Sequence, residues 1–141
     1  MNESQQTDVH YRSLNGEGNF NWRFIFDFEY LPAVKRLVYT QKHKFPFSTP
    51  LEQKLKPIIN LICYDADQLS QDDLLGQIEL NLNSFVKGAN SSKLCTTRML
   101  KDKQWPKINL FKVRQHRGWW PFVSINSKEE IVLTVRERKY I

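Results

Sequence analysis

The chain has 141 residues, a formal net charge of +6 and 13% aromatic side chains, with nine Phe and four Trp. That length suits one domain with a real core, and the basic balance favours an anionic partner, either nucleic acid or a membrane surface. No apolar run reaches the ~18 residues of a membrane span, the polar N-terminus is not a signal peptide, and Cys63 and Cys95 supply no disulfide framework. A cytoplasmic protein peripheral at membranes, or a cytoplasmic piece of something larger, is the expectation, with the sequons at Asn2 and Asn90 as chance matches.

In chain order, "VHYRSL" is expected as a strand and "GEG", ending at Gly18, as a turn. In "NFNWRFIFDFEYL", Phe20, Trp22, Phe24, Phe26 and Phe28 recur at spacing two, opposite Asn21, Arg23, Asp27 and Glu29. That alternation predicts a half-buried strand, with Ile25 the apolar exception on its outer face. "RLVYTQ" predicts another strand, followed by an irregular stretch broken at Pro46 and Pro50. "PIINLICYD" is continuously apolar and reads as a central strand covered on both faces. "GQIELNL" and "EEIVLTVRE" alternate through Ile78, Leu80, Leu82 and through Ile131, Leu133, Val135. No segment keeps a helical period. The expected fold is all-β, an antiparallel sandwich. Residues 86–128 form a long connection, an insertion before the last strand.

Four aspartates, Asp65, Asp67, Asp72 and Asp73, crowd the end of the apolar run in "YDADQLSQDDLLG". Asp65 and Asp67 share a parity, so their α-carbons would stand ~7 Å apart along a strand. Their repulsion at that range is ~0.6 kcal/mol in water and ~2.4 kcal/mol at an effective dielectric near 20. A hard cation reverses the sign, because Ca²⁺ takes six to eight oxygens in irregular geometry. A solvated acidic turn is the plain alternative. An EF-hand fails the count: with Asp65 first, Ser70 stands where Gly is required and Gly76 where Glu is required.

"ICYDADQLSQDDLLGQIEL" resembles the third calcium-binding loop of a C2 domain, D-x-D-x-x-S-x-x-D followed by an apolar pair and Gly. Asp65, Asp67, Ser70, Asp73 and Gly76 match that pattern in position. "TDVHYRSLNGEGNFNWRFIFDFEYLP" and "INLFKVRQHRGWWPF" resemble the ferlin family, in one of its last C2 domains before the membrane anchor. The resemblance implies a C2-type sandwich, and it places Asp8 among the ligands of the first calcium loop. A full C2 domain carries one or two strands before that position, so the sandwich is expected to be N-terminally incomplete. Ferlins are single-pass membrane proteins, and this chain carries no such span.

From Arg98 to Arg117 there are seven Lys or Arg against one acid, Asp102, with Trp105 embedded and Trp119 and Trp120 following. Basic residues near an anionic leaflet contribute ~1 kcal/mol each, which makes Lys101, Lys103, Lys107, Lys112, Arg114 and Arg117 the candidate lipid face. Trp119, Trp120 and Phe122 are better read as pinning the insertion onto the sandwich. Cys63 reads as an inert core thiol. His10, His43 and His116 show no zinc spacing, and no nucleophile–base pair points to an enzyme.

The expectation is therefore a phospholipid-binding C2 module, with Asp8, Asp65, Asp67 and Asp73 as Ca²⁺ ligands and Ser70 accessory. Its partners would be anionic membranes and fusion or trafficking proteins. A calcium-independent interaction domain and a nucleic-acid binder are the alternatives. The second is disfavoured because the aromatic strand lacks an RNA-recognition signature.

Overall fold

The computed structural model describes residues 4–11, 18–43, 51–66, 71–113, 115–124 and 132–138, with backbone alone for 43 and 132–138. Among these residues, the strands form three small antiparallel sheets with one α-helical turn and two 3-10 turns, consistent with an incomplete β-sandwich. In the first sheet, β1 (Glu29–Leu31), β2 (Arg36–His43) and β3 (Leu51–Leu55) lie in the order β1-β2-β3. Cross-strand pairs stabilise such a sheet. Here Glu29 accepts from Thr40 Oγ1 at 2.7 Å and from Lys54 Nζ at 3.2 Å, one group on each of the other two strands. Those two contacts hold the Glu29 carboxyl below its usual range, with Thr40 the larger influence. Lys42 pairs with Glu52, its register partner, at 3.5 Å.

The second sheet holds β4 (Ile58–Asp65), β5 (Asp73–Asn81), β8 (Arg117–Val123) and β9 (Val132–Arg138) in the order β4-β5-β8-β9. A third, two-stranded ribbon pairs β6 (Phe85–Val86) with β7 (Lys107–Ile108). The core lies where β5, β6 and β8 meet. Ile78, Leu80, Leu82, Phe85, Trp120 and Phe122 are buried together, and Phe28, Leu37, Ile59, Leu61 and Cys63 pack against them. The period-two pattern of Ile78, Leu80 and Leu82 thus faces inward as the sequence predicts.

One residue ties the two larger sheets together. Asn83, in a short turn at Leu82–Ser84, accepts from the Leu37 N–H at 2.8 Å and donates from Nδ2 to the Leu37 carbonyl at 2.8 Å. Its own N–H is held by the Asn81 side chain at 3.0 Å. A side-chain amide here completes the hydrogen bonding of a strand residue that would otherwise face it unpaired.

Three expectations are corrected. The aromatic run 20–28 carries no strand until Glu29, although Phe24, Phe26 and Phe28 are half-buried and the residues between them are exposed. Alternation is present, but among the described residues a ladder partner is not. The expected partner "VHYRSL" is no strand over Val9–Tyr11, and its remainder, the "GEG" turn and the Pro46–Pro50 stretch reach outside the described residues. Next, among the described residues β4 is an edge strand covered on one face. Ile59, Leu61 and Cys63 pack on the core, whereas Ile62 and Tyr64 are 47% and 53% exposed.

The connection 86–128 is the third correction, because it contributes a strand to the main sheet. β8 pairs with β9 along all seven of its residues, and with β5 at Gln77 and Val123. Ala89 takes part of its other edge, exchanging both backbone hydrogen bonds with Trp119 at 2.9 and 3.0 Å. Pro121 has no N–H to offer a ladder, and it is fully buried there. Gly88 permits the approach: a Cβ at that position would lie 2.7 Å from the Gly118 α-carbon. A second, smaller core of Ala89, Cys95 and Met99 closes under Trp105 and Trp119.

Candidate functional site

The acidic loop emerges from the β4–β5 pair. From Ile58 opposite Asn81 to Cys63 opposite Gly76 the register is regular, and the inward residues of both strands lock it to the core. Between Cys63 and Tyr64 the register shifts by one, so that Tyr64 faces Leu74 and Asp65 faces Asp73. Leu75 is the extra residue, and it is 37% exposed. Bulges of this kind redirect side chains at a strand's end. Without it, Asp65 would face Leu74; with it, two carboxylates stand opposite each other.

Opposed residues in an antiparallel pair hold their β-carbons ~5 Å apart, and like charges there are destabilising. In water the repulsion is about 0.8 kcal/mol at that distance. Asp65 and Asp73 are both exposed. The Asp65 charge is also felt by Cys63, whose thiol is pushed up first by burial and then by Asp65. Cys63 is therefore a protonated, core-packed thiol, and Cys95 is pushed up by burial alone.

Asp67 and Ser70 lie outside the described residues. Asp8 is exposed on the N-terminal segment, where Thr7 Oγ1 donates to its carbonyl at 2.9 Å. Among the described residues, no three His, Cys, Asp or Glu side chains gather into a group that could hold a metal ion. The register thus brings Asp65 to Asp73 and does not bring Asp8 to both of them. The sequence pattern announces the acids; it does not announce the bulge that opposes two of them.

The basic residues divide between two places. Lys101 ends the short α-helical turn α1 (Arg98–Lys101), Lys103 follows in a turn, and Lys107 lies on β7 opposite Val86. Together they rim a cavity of about 210 Å³. Lys112 is exposed in the turn after β7, and Arg117 is exposed at the start of β8. Arg114 lies outside the described residues. Beside Lys112, Phe111 stacks at a tilt on Tyr30, with ring centroids 4.5 Å apart and both residues exposed. This contact joins the insertion to β1, and sequence spacing gives no sign of it.

The tryptophans hold the insertion in place. Trp120 donates from Nε1 to the Val86 carbonyl at 3.0 Å and meets Phe85 and His116 edge-on. Trp105 donates from Nε1 to the Lys87 carbonyl at 2.9 Å. Burying an indole with its N–H satisfied is the favourable arrangement for this side chain. The structural reading of Trp119, Trp120 and Phe122 holds: Trp120 and Phe122 are 4% and 5% exposed.

Fer-1-like protein 4 of Mus musculus is 42% identical over 124 residues, covering 87% of this chain. Myoferlin of Xenopus tropicalis is 45% identical over 118 residues, and myoferlin of Homo sapiens 40% over 123, each covering 83%. The chain is homologous to a segment of ferlin-family proteins. It spans about 6% of the length of these curated ferlins, consistent with a single internal domain of a much larger protein. No family model matches it. Together, the ferlin homology and the antiparallel fold are consistent with a C2-like module. Among the described residues, no helix is long and apolar enough to cross a membrane.

Proposed function

We propose that this chain is a C2-type module that docks a larger ferlin-like protein onto anionic phospholipid membranes in vesicle fusion, trafficking or repair. It works at the cytoplasmic surface, with Ca²⁺ as its cofactor. The observation that carries this reading is the bulge-set opposition of Asp65 and Asp73 at one end of a sheet in a chain of net charge +6. A register that forces two carboxylates together suits a hard cation, because oxygen donors are what Ca²⁺ selects. Asp65 and Asp73 would hold the ion together with Asp67 and the accessory Ser70 of the same loop, and with Asp8 from the N-terminal segment. A bound ion would cancel local negative charge and offer coordination positions to lipid phosphate. The exposed Lys and Arg residues of the insertion supply the attraction that does not depend on calcium.

A second reading is a calcium-independent protein-interaction domain, favoured by the exposed Tyr30–Phe111 pair. Calorimetry and vesicle pelleting separate the two. Calcium should raise the melting temperature of the unmutated protein, and Asp65→Asn with Asp67→Asn should remove that rise while leaving the apo protein at least as stable. No calcium-dependent rise in the unmutated protein would sink the socket. Pelleting with single-stranded RNA in place of vesicles would turn the reading toward nucleic acid.

A further inference from the structure

The cavity between β6, α1 and β7 has a composition that the membrane-docking reading does not by itself require. Its floor is apolar, made by Val86, Leu100 and the 1%-exposed Met99. Its rim is polar. Lys101, Lys103 and Lys107 stand around it with Ser84, and among the described residues the only carboxylate in the lining is Asp102.

Local hydrogen bonds hold the rim in shape. Asp102 Oδ1 accepts from the Gln104 N–H at 2.8 Å, and its carbonyl accepts from the Trp105 N–H at 3.1 Å. Those bonds close the turn that carries Lys103. Trp105 is tied to Lys87, whose N–H in turn donates to the Pro106 carbonyl at 2.9 Å. Lys107 is set by its ladder position opposite Val86. Among the described residues, neither Lys103 nor Lys107 forms an ion pair.

Among the described residues, the three lysines and one carboxylate of the lining sum to a formal charge of +2. A phosphate monoester carries about −1.5 to −2 at neutral pH and so matches that formal charge, whereas a phosphodiester carries one charge and matches half of it. Lysine binds phosphate as a mobile point charge with three donors, and the Ser84 hydroxyl adds another. The volume is below the ~300 Å³ at which pockets for whole drug-sized ligands begin, which suits a headgroup. We infer that this cavity is a binding site for a phosphate monoester, with Lys101, Lys103, Lys107 and Ser84 as its donors. For a lipid source of that group the inference rests on the membrane-docking reading; for a soluble source it stands alone.

The test uses the full chain and four probes. Phosphatidylcholine vesicles carrying phosphatidic acid present a monoester, and vesicles carrying phosphatidylglycerol at equal surface charge present a diester. Glycerol phosphate is the soluble monoester, read by the Trp105 indole N–H resonance, and glycerophosphoglycerol is the soluble diester. Lys103→Gln with Lys107→Gln should weaken phosphatidic acid binding roughly tenfold, to the phosphatidylglycerol level. The charge-matched control, Lys56→Gln with Lys93→Gln, alters two exposed lysines away from the cavity and should keep the preference for the monoester.

If both double variants weaken both vesicle types alike, the attraction is diffuse; the cavity assignment falls and the membrane reading survives. If no vesicle binds but glycerol phosphate shifts the Trp105 resonance through Lys103 and Lys107, the membrane reading falls and the site stands with a soluble ligand. A Trp105 resonance indifferent to the monoester, or equally responsive to the diester, overturns the site.

Discussion

Two aromatic runs of this chain meet opposite fates. Phe20 to Phe28 has the cleaner alternation, yet Phe20 and Trp22 are 41% and 44% exposed and the run forms no strand. Trp119 to Phe122 is interrupted by Pro121, yet Trp120 and Phe122 are buried at the centre of the core. The difference lies in the partners for the backbone. β8 has β9 along its whole length and Ala89 on its other side. Ile25 is met by a side chain instead: it donates its N–H to Gln5 Oε1 at 3.1 Å and accepts from Gln5 Nε2. Alternation tells which face could be buried, and a hydrogen-bonding neighbour decides whether it is.

The largest effect should come from breaking that comparison at its two tryptophans. Trp120→Ala removes a buried ring, its hydrogen bond to Val86 and its contacts with Phe85 and His116. It should lower unfolding stability by ~3–5 kcal/mol. Trp22→Ala should change it by no more than ~0.5 kcal/mol, as at other exposed positions. Urea unfolding of the two variants decides. Similar losses would mean that the aromatic run carries as much of the core as β8 does.

A middle-sized effect belongs to Asn83, the link between the sheet next to the aromatic run and the sheet that contains β8. Asn83→Ala breaks both hydrogen bonds to Leu37 and should cost about 1–3 kcal/mol. The loss should be local. Amide exchange in β1 and β2 should accelerate well before exchange in β8 and β9 changes. Uniform acceleration across both sheets would mean that they unfold as one unit and that the contrast between them is only static.

These particulars also show why the sequence was legible in part. β2, β4, β5 and β9 carry apolar runs or alternations, and each is found as a strand. β3, "LEQKL", has almost no apolar signal, and pairing with β2 is what makes it a strand. β8 was hidden by Pro121, a residue that ordinarily argues against a central strand. The acidic loop is visible as composition. The one-residue bulge that sets Asp65 against Asp73 depends on which residues pair across the ladder, and no local pattern records that. The lysine-rimmed cavity gathers residues from β6, α1 and β7, so it exists only once the insertion is folded.

The smallest expected effect sharpens the comparison from the buried side, at His116. Its Nε2 accepts from the Gly88 N–H at 3.3 Å while its ring packs edge-on against Trp120 at 5.6 Å. Accepting at Nε2 requires the neutral ring with its proton on Nδ1. Burial, and then the nearby Lys87 ammonium, hold its pKa below the usual value, which is about 6.5. The unfolded chain therefore binds this proton more readily than the folded one. Stability from His116 is complete above about pH 6.5 and is lost as the pH falls through the lower folded value. Glu29 is held below its own range and so acts only in more acidic solution. Urea unfolding between about pH 7.5 and about pH 5.5 should show the loss, and His116→Gln should remove it while leaving the contribution of other groups in place. An unchanged slope in the variant would assign the effect to groups other than His116 and leave the Gly88–Trp120 junction insensitive to protons. A flattened slope would tie the pH response to the packed aromatic run, where the same ring that meets Trp120 also receives the N–H of the glycine that lets the insertion close.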